Sequence, residues 1–171
     1  MKITACAIVR NERKNLPQWL KNAWCYSDEI ILVDTGSDDG TPAYAAAQGA
    51  QVYPYVWQDD FAAARNYALE QVTGEWIAFL DADEYFAQPE EVRPYLEGLP
   101  EDIEAVQVPM VNIDPANHEQ VLQRFSNIRL LRCRSWLRYQ GRIHETLQHL
   151  GGQLQLRVES AALLIYHTGY A

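Results

Sequence analysis

The chain has 171 residues, 48% of them hydrophobic and 22% charged, which is enough apolar mass for one domain with a sizeable core. Its formal net charge of −9 excludes the basic stripe that neutralises nucleic-acid phosphates, so a small anionic ligand would need a bound metal or a few placed arginines to hold it. Cys6, Cys25 and Cys133 form no Cys-x-x-Cys pair, which argues against a disulfide framework or zinc site, and no apolar run approaches the roughly 18 to 20 residues of a membrane span.

Met1-Lys2-Ile3-Thr4 leads straight into a strand rather than a signal peptide, so the expected compartment is the cytoplasm. Ile3 to Val9 is a short apolar run with β-branched residues, and Glu29 to Asp34 contains the clearer strand Ile30-Ile31-Leu32-Val33. Between them, Leu16, Leu20, Ala23 and Trp24 recur at helical spacing within Leu16 to Tyr26. A second helix is expected over Thr41 to Gln48, capped by Thr41, with Pro42 at its first position and Gly49 to stop it. Gln51 to Trp57 reads as a third strand. Asp60 is placed to cap a helix through Phe61, Arg65, Leu69 and Val72, closed by Gly74 before the apolar run that ends at Asp81. Four strands interleaved with three helices predict right-handed crossovers and a mostly parallel sheet.

After Glu84 the pattern changes. Pro89 to Leu96 looks like one short helix, and Ala105 to Val111, Ile128 to Cys133 and Leu163 to Tyr166 look like strands without long helices between them. The expected fold is therefore α/β, with a sheet parallel in its first half and mixed in its second. Asn112 to Asn127 is the most polar long connection, a type that often forms functional lids.

The chemistry is concentrated where strands end. Trp76-Ile77-Ala78-Phe79-Leu80 is a run fit for a buried parallel strand, and it stops in Asp81-Ala82-Asp83-Glu84. Open α/β sheets bind ligands beyond the carboxyl ends of such strands, and if strand geometry continues, Asp81 and Asp83 point to one side and can share a hard cation or a hydroxylated ligand. The bland alternative is a solvated acidic turn. Asp34-Thr35-Gly36-Ser37-Asp38-Asp39-Gly40-Thr41 offers acids that could accept from a nucleobase or ribose, or else an Asx-rich turn that caps the next helix. A calcium loop is a weaker reading, since the acids do not alternate and Ala45 stands where a terminal Glu is needed. Arg10-Asn11-Glu12 ends the first strand, so three strand ends converge. Arg65 and Asn66 lie early in the helix begun by Asp60, where an Arg and a helix amino terminus favour an anion; alternatively Arg65 pairs with Asp59 or Glu70 on a wet face.

Ile8-Val9-Arg10-Asn11-Glu12, the Asp34 to Thr41 segment, Phe61-Ala62-Ala63-Ala64-Arg65-Asn66 and Leu80-Asp81-Ala82-Asp83-Glu84, in that order, give the chain a recognisable likeness. It resembles family 2 glycosyltransferases with the GT-A fold, particularly the bacterial group often followed by tetratricopeptide repeats. The resemblance implies a GT-A-type nucleotide-binding sheet with helices on both faces, in one catalytic domain over 1–171, with 1–84 as a nucleotide-binding half and 85–171 as an acceptor-side half. It makes Asp81 and Asp83 the DxD motif that meets the ribose, diphosphate and divalent metal of a nucleotide diphosphate sugar. Glu12, Asp34 and Asp39 become nucleoside contacts, Arg65 a contact to the diphosphate, and Arg10 a further donor-binding residue. Gly141-Arg142-Ile143-His144-Glu145 looks like the family's Gly-x-x-His-Glu segment, and Tyr166-His167-Thr168-Gly169-Tyr170 resembles its closing His-x-Gly-Tyr.

By that resemblance His167 folds back as a ligand of the metal, beside Asp83, or of the diphosphate; the bland alternative is a surface or capped histidine at a strand end. Glu145 is the candidate general base, because inverting sugar transfer needs a carboxylate that takes the acceptor's proton; alternatively it only fixes Arg142 or His144. The implied cofactor is Mg2+ or Mn2+, with an imidazole ligand tilting the choice to Mn2+. The expected function is transfer of one sugar to an unidentified glycan, lipid or protein acceptor. Nucleotidyl transfer is the rival enzyme class, but no Gly-rich phosphate loop with a Lys or Arg follows the first strand. A phosphatase would place the acid pair after the first strand rather than the fourth. The third rival is a nucleotide-sugar binding module without turnover. The family continues past its closing motif, so a chain stopping at Ala171 is either a minimal module or an excised domain.

Overall fold

Ile30-Ile31-Leu32-Val33 has no polar side chain to turn outward, which suits a strand covered on both faces. In the computed structural model, which describes residues 1–114, 116–158 and 163–169, β2 (Glu29–Asp34) is buried along its whole length. It follows β1 (Ile3–Val9) and α1 (Leu16–Trp24), and leads to α2 (Thr41–Ala47), β3 (Gln51–Pro54), α3 (Phe61–Gln71) and β4 (Trp76–Phe79). The second half comprises β5 (Glu84–Phe86), a 3-10 turn at Pro89–Glu91 running into α4 (Val92–Glu97), β6 (Ala105–Asp114), β7 (Asn117–Arg132), β8 (Leu137–Gln140), β9 (Thr146–His149), β10 (Leu156–Val158) and β11 (Ile165–His167).

The main sheet runs β3-β2-β1-β4-β7-β6-β11-β5, with β10 pairing β6 off this path, while β8 and β9 form a separate hairpin. β1 to β4 pair in parallel, β7 runs antiparallel to both β4 and β6, and β11 is parallel to β6 but antiparallel to β5. The expected change from a parallel to a mixed sheet is therefore present, and it falls at the β4/β7 border.

Each face has its own core. Leu16, Trp19 and Leu20 of α1, Ala45 of α2 and Val92 and Leu96 of α4 pack on one side, against Ile3, Ala5, Ile30 and Leu32. On the other side Ala62, Ala68 and Leu69 of α3, with Leu137, Tyr139 and Leu147 of the β8–β9 hairpin, cover Cys6, Ile31, Val33, Ile77 and Phe79. Cys6 is the inert core thiol expected, and burial pushes its pKa far up. The Asp60 side chain accepts from the Ala63 amide at 3.0 Å, the predicted cap of α3.

Three local expectations differ. Thr41 lies inside α2, and the cap position is Gly40 at φ 85°, because the Thr41 hydroxyl is turned inward to Asp39 and the Glu12 amide. The strand after α2 stops at Pro54, short of Trp57. The polar stretch from Asn112 to Asn127 is no loose connection but the outer part of a long antiparallel ribbon, with Asn112 opposite Gln123 and Val108 opposite Asn127. Backbone pairing satisfies that ribbon, while the side chains of Val121, Leu122, Gln123 and Arg124 stay exposed, so strand structure there needs no apolar alternation. Pro115 and Tyr170 of the segments read above lie outside the described residues.

Candidate active site

β4 stops at Phe79, and the chain then folds into a turn in which the Glu84 amide donates to the Asp81 carbonyl at 3.0 Å. The Glu84 carboxylate answers by accepting from the Asp81 amide at 2.8 Å. Asp81 and Asp83 thus sit on a turn rather than on a continued strand. Both nevertheless line one cavity of 570 Å³, with Glu12, Phe61, Arg65 and Glu145.

Arg65 does not run out to Asp59 or Glu70. It turns under the sheet's end, where Nε donates to Glu145 Oε1 at 2.6 Å and a terminal nitrogen reaches Asp81 Oδ1 at 3.3 Å. Its guanidinium lies 4.7 Å from the centre of the Phe79 ring, so a charge buried beside aromatics is held by two carboxylates. Loss of water around Asp81 works against its charge, yet Arg65 and Arg129 outweigh this and hold its carboxyl below the ordinary value. Glu145 binds Arg65, the partner sequence did not suggest.

His167 ends β11 opposite Glu84 of β5, which brings it over the turn. Its Nδ1 meets Asn112 Oδ1 at 2.6 Å, and Asn112 is oriented in turn by donating to Gln123 at 3.1 Å. With Nδ1 donating, Nε2 faces Asp83 Oδ2 at 3.2 Å. A neutral imidazole there would set one acceptor against another, so a proton or a cation belongs between them. Burial works against a charged His167, but the bond and charge of Asp83, with Glu84 and Asp81 beyond, outweigh it and raise the pKa. The same crowding is felt by Glu12, whose carboxyl is pushed up by burial and by the charges of Asp83, Asp81 and Asp39. A divalent cation fits this donor set: an imidazole nitrogen and carboxylate oxygens, in which one ligand atom each of Asp83, Glu84 and His167 lie within 4.8 Å of one another.

The remaining predicted residues lie to one side. Arg10 and Glu12 line an adjoining cavity of 340 Å³ with Val9, Thr35, Trp57 and Phe61. Asp34 and Asp39 are not among the residues that line either cavity. Asp34 accepts from the Gly36 and Ser37 amides at 3.2 and 3.1 Å. Asp39 accepts from the Thr41 and Arg13 amides, and the Thr41 hydroxyl bond lowers its pKa. Both therefore organise the loop, the use weighed above as an Asx turn.

Sequence reasoning missed Arg129 and Asn112 and gave Glu84 no role. Arg129 grips Glu84 with two bonds of 2.9 Å. The available signal was a charge set between Ile128 and Leu130 in an apolar strand.

The sequence model described as Glycosyl transferase family 2 matches residues 4–163, and the chain belongs to that family. A TPR repeat-containing protein of Synechococcus elongatus is 48% identical over 83 residues, 48% of this chain and 21% of that protein. The SPbeta prophage-derived glycosyltransferase SunS of Bacillus subtilis is 28% identical over 171 residues, 98% of this chain and 40% of SunS. The chain thus spans well under half the length of these relatives. Among solved structures, the mannosyltransferase PcManGT of Pyrobaculum calidifontis, in complex with GDP-Man and Mn2+, superposes with a TM-score of 0.56 at 23% identity, covering 63% of this chain and 35% of that one. S. aureus TarS 1-349 in complex with UDP-GlcNAc gives 0.56 at 20% identity over 70% of this chain and 37% of TarS. At these identities the likeness is one of fold, and it is the GT-A fold that the sequence resemblance implied.

Proposed function

We propose that this domain transfers a glycosyl group, with inversion, from a nucleoside diphosphate sugar to an acceptor, and that it depends on a divalent cation. The observation that carries the reading is the convergence of Asp81, Asp83, Arg65 and Glu145 on one cavity beyond the carboxyl ends of parallel strands, with His167 behind Asp83 at 3.2 Å. Asp83 and His167 would hold the cation, Mn2+ or Mg2+, which when bound supplies positive charge to the leaving diphosphate. Arg65 adds a fixed cation on the other wall. Glu12 and Arg10 serve the nucleoside side, with Asp34 and Asp39 shaping the loop beside it. Glu145 is the general base: Arg65 engages Oε1, and among the described residues Oε2 accepts no hydrogen bond, which leaves it to take the acceptor's proton. Residues 1–84 form the donor half and 85–171 the acceptor-side half of one catalytic domain.

The test is thermal unfolding with UDP, GDP, CDP and dTDP, each with and without Mn2+. At about 100 times the dissociation constant, ligand binding adds roughly 2.7 kcal/mol to native-state stability. One nucleotide should give a Mn2+-dependent upward shift and so name the donor's base. Asp83→Ala should lose that shift and abolish transfer; an unchanged rate in this variant defeats the assignment. Slow donor hydrolysis without acceptor separates an enzyme from a module that only binds.

A further inference from the structure

The Asp83–Glu84–His167 cluster has the composition of a three-ligand cation site, yet Glu84 is already taken. Its Oε1 accepts from Arg129 Nε and its Oε2 from an Arg129 terminal nitrogen, both at 2.9 Å. Oε1 also accepts from the Asp81 amide at 2.8 Å. The Glu84 side chain is 2% exposed and that of Arg129 14%, so this is a buried bidentate pair. Pairs of that kind add little net stability, because desolvation consumes most of the Coulomb gain; what they supply is fixed geometry. The register explains how Arg129 gets there. β4 and β7 pair last at Ala78 and Leu130, and Arg129 is the residue skipped where β7 shifts register against β6, between Leu130 opposite Val106 and Ile128 opposite Gln107. Its guanidinium therefore enters the space beneath the turn, 4.0 Å from Asp81.

We propose that Arg129 is a positioning residue that keeps Glu84 out of the cation site and turns it into the clamp of the Asp81–Asp83 turn. Two protein ligands, Asp83 and His167, then remain for the metal. Coordination positions stay open for the donor's diphosphate, and Mn2+ binds weakly until nucleotide arrives. With Arg129 removed, Glu84 swings free as a third ligand, the cation is held without nucleotide, and the turn loses its clamp. The inference rests on the metal-assisted reading above.

The experiment measures Mn2+ alone, without nucleotide, by the electron paramagnetic resonance signal of the free ion. Outer partners of metal ligands are worth roughly 10- to 100-fold in affinity, and a gained carboxylate ligand should match that range. Arg129→Met is expected to bind Mn2+ at least about tenfold more tightly than wild type. The double variant Arg129→Met/Glu84→Gln should return to the wild-type value, and equal affinity in wild type and Arg129→Met overturns the proposal. Should Arg129→Met not fold, Glu84→Gln carries the test. It is expected to leave Mn2+ binding unchanged while weakening nucleotide binding in the presence of Mn2+, and a loss of binding to Mn2+ alone would make Glu84 a ligand and overturn the proposal. Failure of the metal-assisted reading looks different: wild type then shows no Mn2+-dependent nucleotide binding at all, whatever the two variants do with the ion alone.

Discussion

Gly169 shows how one residue can govern the site without touching a ligand. A Cβ built at this position would overlap the Asp83 carboxylate and lie 3.1 Å from His167 Cε1, so any side chain here must push Asp83 aside. The requirement is close approach rather than an unusual dihedral. Gly169→Ala is expected to displace Asp83 and lose the Mn2+-dependent thermal shift with nucleotide. Because Gly169 is exposed, the variant should unfold within about 0.5 kcal/mol of wild type without ligand; a retained shift contradicts this account. Residues of this kind were partly legible. Asp81, Asp83, Arg65, Glu145 and His167 stand in ordered motifs that announce themselves, whereas Arg129 and Asn112 become meaningful only through contacts made 45 and 55 residues away along the chain. No local pattern encodes the register of β7 against β4 and β6, and that is what delivers Arg129 beneath the turn.

Among the elements, α3 links the two halves of the site. Arg65 faces Asp81 and Glu145, while the next residue, Asn66, uses its amide as a substitute strand. Its Nδ2 donates to the Tyr139 carbonyl at 2.9 Å and its Oδ1 accepts from the Tyr139 amide at 2.8 Å. The Phe61 amide adds a bond to the Arg142 carbonyl at 3.1 Å, so α3 holds the β8–β9 hairpin whose loop carries Glu145. Asn66→Ala strands two backbone groups and should cost roughly 1–3 kcal/mol in chemical denaturation. It should also lower kcat more than it raises the donor KM, since it loosens Glu145, the proposed base, and leaves the strands of the proposed donor side alone. A kcat equal to wild type would detach the hairpin from catalysis. The boundaries of β1, β2 and α3 were readable because apolar runs and caps are local. The inner parts of β6 and β7 were read as strands too, but the outer part of their ribbon was not, because a polar strand pair is recognised by its partner and not by its composition.

On the scale of the whole molecule, the end of the sheet opposite the site is closed by Glu29. Its carboxylate accepts from the Thr4 hydroxyl at 2.7 Å and from the Thr73 amide and hydroxyl at 3.1 and 2.9 Å, tying β1, β2 and the approach to β4 together. Burial pushes the Glu29 pKa up, but these bonds and the Lys2 charge outweigh it and hold it below the usual 4.5. A group whose folded pKa is depressed stabilises the native state above its unfolded pKa and loses that contribution as pH falls through the folded value. Wild type should therefore lose stability on acidification below about pH 4.5. Glu29→Gln should be less stable at pH 7 by roughly 1.5–3 kcal/mol and show a flatter acid limb, read from urea unfolding across pH. Parallel acid limbs in the two proteins would refute the role given to Glu29. The placement of β11 has a consequence in time. It is inserted between β6 and β5, and it brings His167 to an acid turn made more than eighty residues earlier, with Thr168 and Asp83 85 residues apart. A ribosome delivers β1 to β4 first and this strand later, so a nascent chain can form the parallel part of its sheet before His167 reaches Asp83 and the proposed cation site is complete.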